Sequence, residues 1–290
     1  MSVRPYSWPQ DLPGLDELFE RCRLRDGHHP LSENKYRTMR GAQSSGEGFV
    51  IEESGIPVGY LQLLASKIDG TYEFELAVDP ALRGELEEPL LESALARARQ
   101  LGGDTAMAWV YTPGGERPLQ EFGFEPLRDL HQLRVPLPAA APQMVLDIQI
   151  RAFENSDEDA LLSLNNRAFA GHPEAGNWTA EDLHERQAHQ WYDPTGIRMA
   201  FFGERLVGFC WTKEHPGGLG EIYLIAVDPG FRGRGVGRAI ALDGLDYLSS
   251  AKGSTQGMLY VDAVNESALR LYEGLGFEVH HTDRVFSLSI

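Results

Sequence analysis

The stretch Arg232-Gly233-Arg234-Gly235-Val236-Gly237-Arg238 has the residue types and spacing of a phosphate-binding turn. It follows the apolar, strand-like run Ile222-Tyr223-Leu224-Ile225-Ala226-Val227 and the breaker Asp228-Pro229, and it opens a helix-like run that ends near Leu248. A glycine-rich turn from strand to helix presents unpaired backbone N–H groups at the positive end of the helix. Glycines let the backbone approach a ligand without Cβ contacts, and the flanking arginines add charge-assisted donors. The spacing is neither that of a dinucleotide fingerprint nor that of a P-loop. Without a ligand to meet, the same residues are an arginine-rich turn and no more.

The elements that must position this turn are legible around it. Asp157 to Ala170 is helix-like, and Met199-Ala200-Phe201-Phe202 with Leu206 to Thr212 predicts a hairpin around Gly203-Glu204. Gly257-Met258-Leu259-Tyr260-Val261 predicts a further strand, and Asn265 an N-cap for a last helix. Ala268, Leu271, Tyr272 and Leu275 repeat with helical period on one face, with Gly274 and Gly276 able to end it. Helices alternating with strands predict an α/β (α+β) class, a mixed sheet flanked by helices.

The chain reads as the same unit written twice. Leu76-Ala77-Val78-Asp79-Pro80-Ala81-Leu82-Arg83-Gly84 aligns with Ile225 to Gly233, and Pro57-Val58-Gly59-Tyr60 aligns with Leu206-Val207-Gly208-Phe209 at the same offset. Phe122-Gly123-Phe124-Glu125 matches Leu275-Gly276-Phe277-Glu278 after a short insertion. The expected organisation is a domain over 1–135, a proline- and alanine-rich linker over 136–147 and a second domain over 148–290. In the first copy Arg83-Gly84-Glu85-Leu86-Glu87-Glu88 replaces the glycine turn, with Leu86 and Glu88 at the places of Gly235 and Gly237. Bulk and negative charge there are expected to exclude a pyrophosphate.

The 290 residues carry a net charge of −17, which argues against nucleic acid and anionic membrane as partners. No apolar run reaches membrane-spanning length, and the N-terminal residues do not read as a signal peptide. Two distant cysteines, Cys22 and Cys210, suit packed thiols in a reducing compartment, so a cytoplasmic location is expected. A monomer is expected as well. His28-His29 and His280-His281 lack metal-ligand spacing, and no metal is expected. Trp178, Trp191 and Trp211 read as core or pocket walls.

The Arg-x-x-Gly-x-Gly spacing resembles the acetyl-CoA loop of the GNAT acetyltransferase superfamily. That resemblance implies acetyl-CoA as co-substrate and two tandem GNAT domains. Acetyl transfer to an amine needs a proton acceptor, donors for the carbonyl oxygen and a proton for the leaving thiolate. Glu221, at the head of the central strand, is the candidate base, and its counterpart in the first copy is Tyr72. Tyr272 alone would suit packing; the resemblance implies the general acid, and its first-copy counterpart is Leu119.

Closer strings in the second half look like mycothiol synthase, a tandem GNAT family. They are Asn165-Asn166-Arg167-Ala168-Phe169-Ala170-Gly171-His172-Pro173-Glu174, Trp178-Thr179, Trp191-Tyr192-Asp193-Pro194, Trp211-Thr212-Lys213-Glu214-His215-Pro216, Gly220-Glu221-Ile222-Tyr223 and Leu259-Tyr260-Val261-Asp262. The resemblance implies acetylation of the cysteinyl amine of cysteinyl-glucosaminyl-inositol, giving mycothiol and CoA. It implies substrate contacts from Glu174, Lys213, Glu221 and Tyr260, with Glu33 lent by the first domain. It also implies acetyl and pantetheine contacts from Ile225, Ala226 and Val227, pyrophosphate contacts from Arg232 to Arg238, and a further CoA contact from Asn265, Glu266, Ser267, Ala268, Leu269 and Arg270. On their own, Glu174 and Lys213 read as surface residues. The first domain is expected to be non-catalytic, supporting the second and closing over the substrate. Two other functions fit the residues: a tandem GNAT acting on another small amine (an aminoglycoside, amino acid or polyamine), and a catalytically silent acetyl-CoA sensor.

Overall fold

A computed structural model describes residues 2–41, 47–66, 68–111, 115–140, 146–171 and 176–290. In chain order the elements are β1 (Val3–Pro5), α1 (Leu12–Asp26), α2 (Glu33–Arg40), β2 (Glu47–Glu53), β3 (Ile56–Ala65), β4 (Thr71–Val78), α3 (Glu87–Gln100), β5 (Thr105–Val110), α4 (Glu116–Glu121) and β6 (Glu125–Pro136). There follow β7 (Gln149–Ala152), α5 (Glu158–Ala168), α6 (Ala180–Gln187), β8 (Ile197–Phe202), β9 (Arg205–His215), β10 (Leu219–Val227), α7 (Val236–Ser250), β11 (Gln256–Asp262), α8 (Glu266–Glu273) and β12 (Glu278–Ser289). The hairpin around Gly203-Glu204, the helix following Asn265 and the strand over 257–261 all form where the sequence places them.

The chain divides into two compact units, one of Met1–Asp129 with Asp283–Ile290 and one of Leu130–Thr282. This division differs from the expected boundaries at 135 and 148. In the first unit β5 pairs antiparallel with Arg284 to Ser289 of β12. In the second, β11 pairs antiparallel with Leu130 to Pro136 of β6. Each unit therefore takes the last strand of the other repeat, which an offset between repeats cannot reveal. Leu137 and Ala139, expected in a linker, pack against the core of the second unit, and residues 141–145 lie outside the described residues.

Within each unit the sheet is mixed. The first unit has antiparallel β1–β2–β3–β4 and parallel β4–β5; the second has antiparallel β7–β8–β9–β10 and parallel β10–β11. Helices cover both faces. Leu90, Leu91, Leu95 and Ala98 of α3 are buried with Leu61, Leu63 and Phe74 of the sheet. Ile240, Ala241, Leu245 and Leu248 of α7 fill the matching place in the second unit.

The repeat holds down to single hydrogen bonds. Asp79 N bonds Val58 O at 2.8 Å and Asp228 N bonds Val207 O at 2.9 Å; Leu82 N bonds Asp79 O and Phe231 N bonds Asp228 O, both at 2.8 Å. Both aspartates also accept from the backbone two residues on, Ala81 N and Gly230 N. This side-chain turn is the contribution of Asp-Pro after a strand.

The first unit buries a charged cluster. Glu75, almost wholly enclosed, accepts from Ser32 N at 2.8 Å and from the Tyr111 hydroxyl at 2.6 Å, and pairs with Lys35 Nζ at 3.1 Å. Burial, with Glu75 adding, pushes the Asp283 carboxyl up to about 7. A raised carboxylate pKa means that the folded protein holds a proton which the unfolded chain releases above about 4. Stability from this group is therefore full in acid and is lost as pH rises through about 7. Asp283→Asn should stabilise the protein at pH 8 relative to pH 5, by roughly 1–3 kcal/mol. Chemical denaturation of both proteins at the two pH values checks this; an equal difference between them at both would contradict it.

Candidate active site

The second unit has an opening in its sheet, where β10 and β11 stop pairing. The parallel β10–β11 ladder covers only Leu219↔Gln256, Gly220↔Gly257 and Glu221↔Met258. Past Glu221, β10 keeps its pairing with β9 as far as Val227↔Gly208, with a bulge between Ile222 and Leu224. A bulge adds a residue to one strand and re-aims the residues beyond it. The bulged residue, Tyr223, is held by aromatic packing: its ring centroid is 5.0 Å from that of Trp191 and 5.7 Å from that of Trp211. Ile225, Ala226 and Val227 thus lie on a strand whose ladder on the β11 side has already ended.

The turn after β10 is shaped by its glycines. Gly233 and Gly235 have φ of 73° and 83°, in the left-handed region where a Cβ is costly. Gly235 is the N-cap of α7 and makes no side-chain cap, so the first N–H groups of the helix are left to other partners. Gly237 is helical; a Cβ there would sit 3.4 Å from Leu271 Cδ2 and 3.5 Å from Val227 Cγ2. It marks the point where β10, α7 and α8 converge. Arg232 bonds Ala168 O at 2.9 Å, Arg234 stacks over Phe231 at 5.0 Å, and Arg238 ties to Gly274 O at 2.8 Å. Buried Asp228 fixes the turn from beneath through Arg205 and Arg167 at 2.9 and 3.1 Å.

Glu221 is 8% exposed and Lys213 is 9% exposed. They face each other across the β9–β10 ladder. Lys213 is thus no surface residue: its Nζ lies 5.1 Å over the Trp191 ring. His215, two residues further along β9, brings Nε2 to 2.6 Å from Glu221 Oε2. It was not among the expected site residues, although strand alternation puts 213 and 215 on one face. His215 also lines a cavity of about 530 Å³ with Trp191, Tyr192, Tyr247 and Lys252. Trp211 and Trp178 are buried, as expected of core or wall residues.

On β11, Tyr260 is 43% exposed and its hydroxyl accepts from Gln132 Nε2 at 2.7 Å. Asn265 caps α8, accepting from Ala268 N at 3.2 Å and from the Ser267 hydroxyl at 3.0 Å. Glu266 and Arg270 pair along the exposed helix face at 3.1 Å, with Leu269 on the same helix packed against the core. Tyr272 is buried beside Phe277, and burial, with Cys210 adding, pushes its phenol well above the usual range. Such a hydroxyl keeps its proton at neutral pH. Cys22 and Cys210 are both free and buried. Glu174 lies outside the described residues; Glu33 opens α2, and its side chain lies outside them too.

The equivalent place in the first unit is built differently. The β3–β4 register is continuous, without a bulge, and the β4–β5 ladder runs on to Glu75↔Trp109, past Tyr72. Arg83 turns onto Asp26 in a two-pronged pair at 2.9 and 2.6 Å, with Nε 3.4 Å from Val78 O. Glu87 Oε2 accepts from Gly84 N at 2.8 Å, so a carboxylate of the chain takes a donor that the turn would offer an anion. Leu86 does not obstruct the turn as expected. It points into the core, 5% exposed.

Among the described residues no cluster of His, Cys, Asp and Glu could hold a metal, and no helix is long and apolar enough to cross a membrane. The model of the acetyltransferase (GNAT) family matches residues 158–277, the span that contains the opening, the turn and α8. Of solved structures, a GCN5-related N-acetyltransferase from Sphaerobacter thermophilus superposes with a TM-score of 0.79 at 23% identity, covering 99% of this chain and 95% of the other. A tandem GNAT protein from the clavulanic acid biosynthesis pathway gives 0.77 at 16% identity, covering 99% and 98%. These establish the fold. The mycothiol acetyltransferase of Rhodococcus jostii (strain RHA1) is 39% identical over 99% of both chains, and that of Thermobispora bispora is 40% identical over 93% of both. The opened strand, the glycine turn and the enclosed glutamate thus sit in a chain that belongs to the mycothiol acetyltransferase family, acetyltransferases of the GNAT fold.

Proposed function

We propose that the second unit transfers an acetyl group from acetyl-CoA to the cysteinyl amine of cysteinyl-glucosaminyl-inositol, releasing mycothiol and CoA in the cytoplasm. The observation that carries this reading is the end of the β10–β11 ladder at Glu221, with the glycine turn on one side and an enclosed carboxylate on the other. Acetyl-CoA supplies the acetyl group as an activated thioester. Ile225 to Val227 offer main-chain groups to its amide-bearing arm, as an edge strand does to an added strand. The N–H groups from Gly233 to Arg238 meet its pyrophosphate. The residues Asn265 to Arg270 border the same arm.

Glu221 takes the proton that the acceptor ammonium must lose. The freed nitrogen then bonds to the carbonyl carbon, the C–S bond breaks, and Tyr272 returns a proton to the departing sulfur. A phenol held protonated by burial suits that last step. Lys213 and Tyr260, with Glu174, would hold the sugar and inositol hydroxyls. The rebuilt turn of the first unit supports a single acetyl-CoA per chain.

Titration calorimetry with acetyl-CoA should therefore give one tight site. Gly237→Glu, which copies Glu88 of the first repeat without demanding a left-handed backbone, should abolish it. Two comparable sites, or a variant that binds normally, would refute the assignment.

Glu221→Gln keeps the shape and removes the proton acceptor. Turnover at pH 7 should fall on the order of 10²-fold or more. The deficit should shrink at high pH, where free amine is abundant. Unchanged turnover at pH 7 would remove Glu221 from the mechanism.

Lys213→Ala should raise KM for the full acceptor by roughly ten- to a hundredfold, the worth of a charge-assisted hydrogen bond. A truncated cysteine amide, which lacks the polyol, should show little change. Equal effects on both would count against the glycosylated acceptor while leaving acetyl transfer intact.

A further inference from the structure

The carboxylate assigned to proton removal does not stand alone. Glu221 is almost enclosed, and its Oε2 lies 2.6 Å from His215 Nε2. We propose that His215 is a positioning residue for Glu221. With its proton on Nε2, it donates to Oε2 and leaves Oε1 to take the proton of the acceptor ammonium. The inference rests on the proposed role of Glu221.

The local fold delivers His215 to this place. The β9–β10 turn runs through Pro216-Gly217-Gly218, with φ of 81° and 76° at the two glycines. That turn sets Leu219 opposite His215 and Glu221 opposite Lys213. His215 and Glu221 are therefore diagonal neighbours on one face of an antiparallel pair, within reach of long side chains. An enclosed carboxylate with freedom to rotate would present its proton-accepting lone pair only part of the time. A hydrogen bond to one oxygen removes that freedom.

The chemistry of the donor matters as well. A full positive charge bonded to the carboxylate would stabilise its ionised form and weaken it as a base. His215 also differs from Glu221 in access: its side chain is 25% exposed against 10% for the glutamate, and it lines the cavity of about 530 Å³. His215 is thus the more exposed of the pair and the carboxylate the more enclosed.

The test is a double-mutant cycle with His215→Ala, Glu221→Gln and the pair, read as kcat at saturating substrates. Acetyl-CoA affinity and the thermal midpoint serve as controls for folding. His215→Ala should lower kcat roughly ten- to a hundredfold, the worth of a hydrogen bond to a charged group, with acetyl-CoA affinity unchanged. In the Glu221→Gln background the same change should cost almost nothing, because residues that act as a unit are not additive. His215→Gln, whose amide can donate in place of the imidazole, should recover part of the loss. Three results would overturn the proposal: His215→Ala with wild-type kcat beside an inactive Glu221→Gln, an equal loss in both backgrounds, or a loss that Gln does not relieve at all. Wild-type turnover in Glu221→Gln alone would instead overturn the assignment of the base, a separately visible failure.

Discussion

One edge of a β-strand can bond one neighbour at a time, and the second unit depends on where β10 stops pairing with β11. The ladder ends at Glu221, and the strand continues to Val227 held by β9 alone. The cause is local. The bulge at Tyr223 changes which way the next peptide groups face, and the aromatic packing of Trp191 and Trp211 keeps the bulge in place. The proposal places the reaction along that opening. The glutamate stands where the strands part, the residues Ile225 to Val227 line the open edge, and the glycine turn closes its far end.

The two repeats separate scaffold from chemistry. Both form the Asp-Pro turn with matching backbone bonds, and both pack a helix against the sheet behind it. The first unit lacks the bulge, extends its parallel ladder to Glu75, and folds Arg83 and Glu87 back upon itself. Its interior carries a charged cluster around Glu75, where the second unit carries aromatic packing around Tyr223. The shared parts are those a folded sheet requires. The divergent ones include the turn and the ladder end, where the proposal places acetyl-CoA.

Much of the site arises from the order of residues. Gly233 and Gly235 occupy backbone conformations that other residues resist, so a glycine pattern between strand and helix encodes the turn directly. The N-cap at Asn265 and the apolar face of α8 are likewise local matters, set within one helix. The repeat is visible because equal strings build equal turns.

The features that the sequence could not decide depend on distance through space. Nothing in Trp-Thr-Lys-Glu-His-Pro tells that Lys213 is buried over Trp191, or that His215 reaches Glu221; both depend on the register that a three-residue turn imposes. The inward turn of Leu86 was also hidden, since a leucine beside a loop can face either way until the sheet offers it a core. The exchange of end strands between the repeats was beyond reach for the same reason, because pairing is a choice among strands far apart in the chain. Residue types and short spacings determined the turn, the caps and the candidate base. Tertiary structure decided which strands pair, where the ladder stops and what the base touches, because those outcomes are settled by competition for edges and for burial.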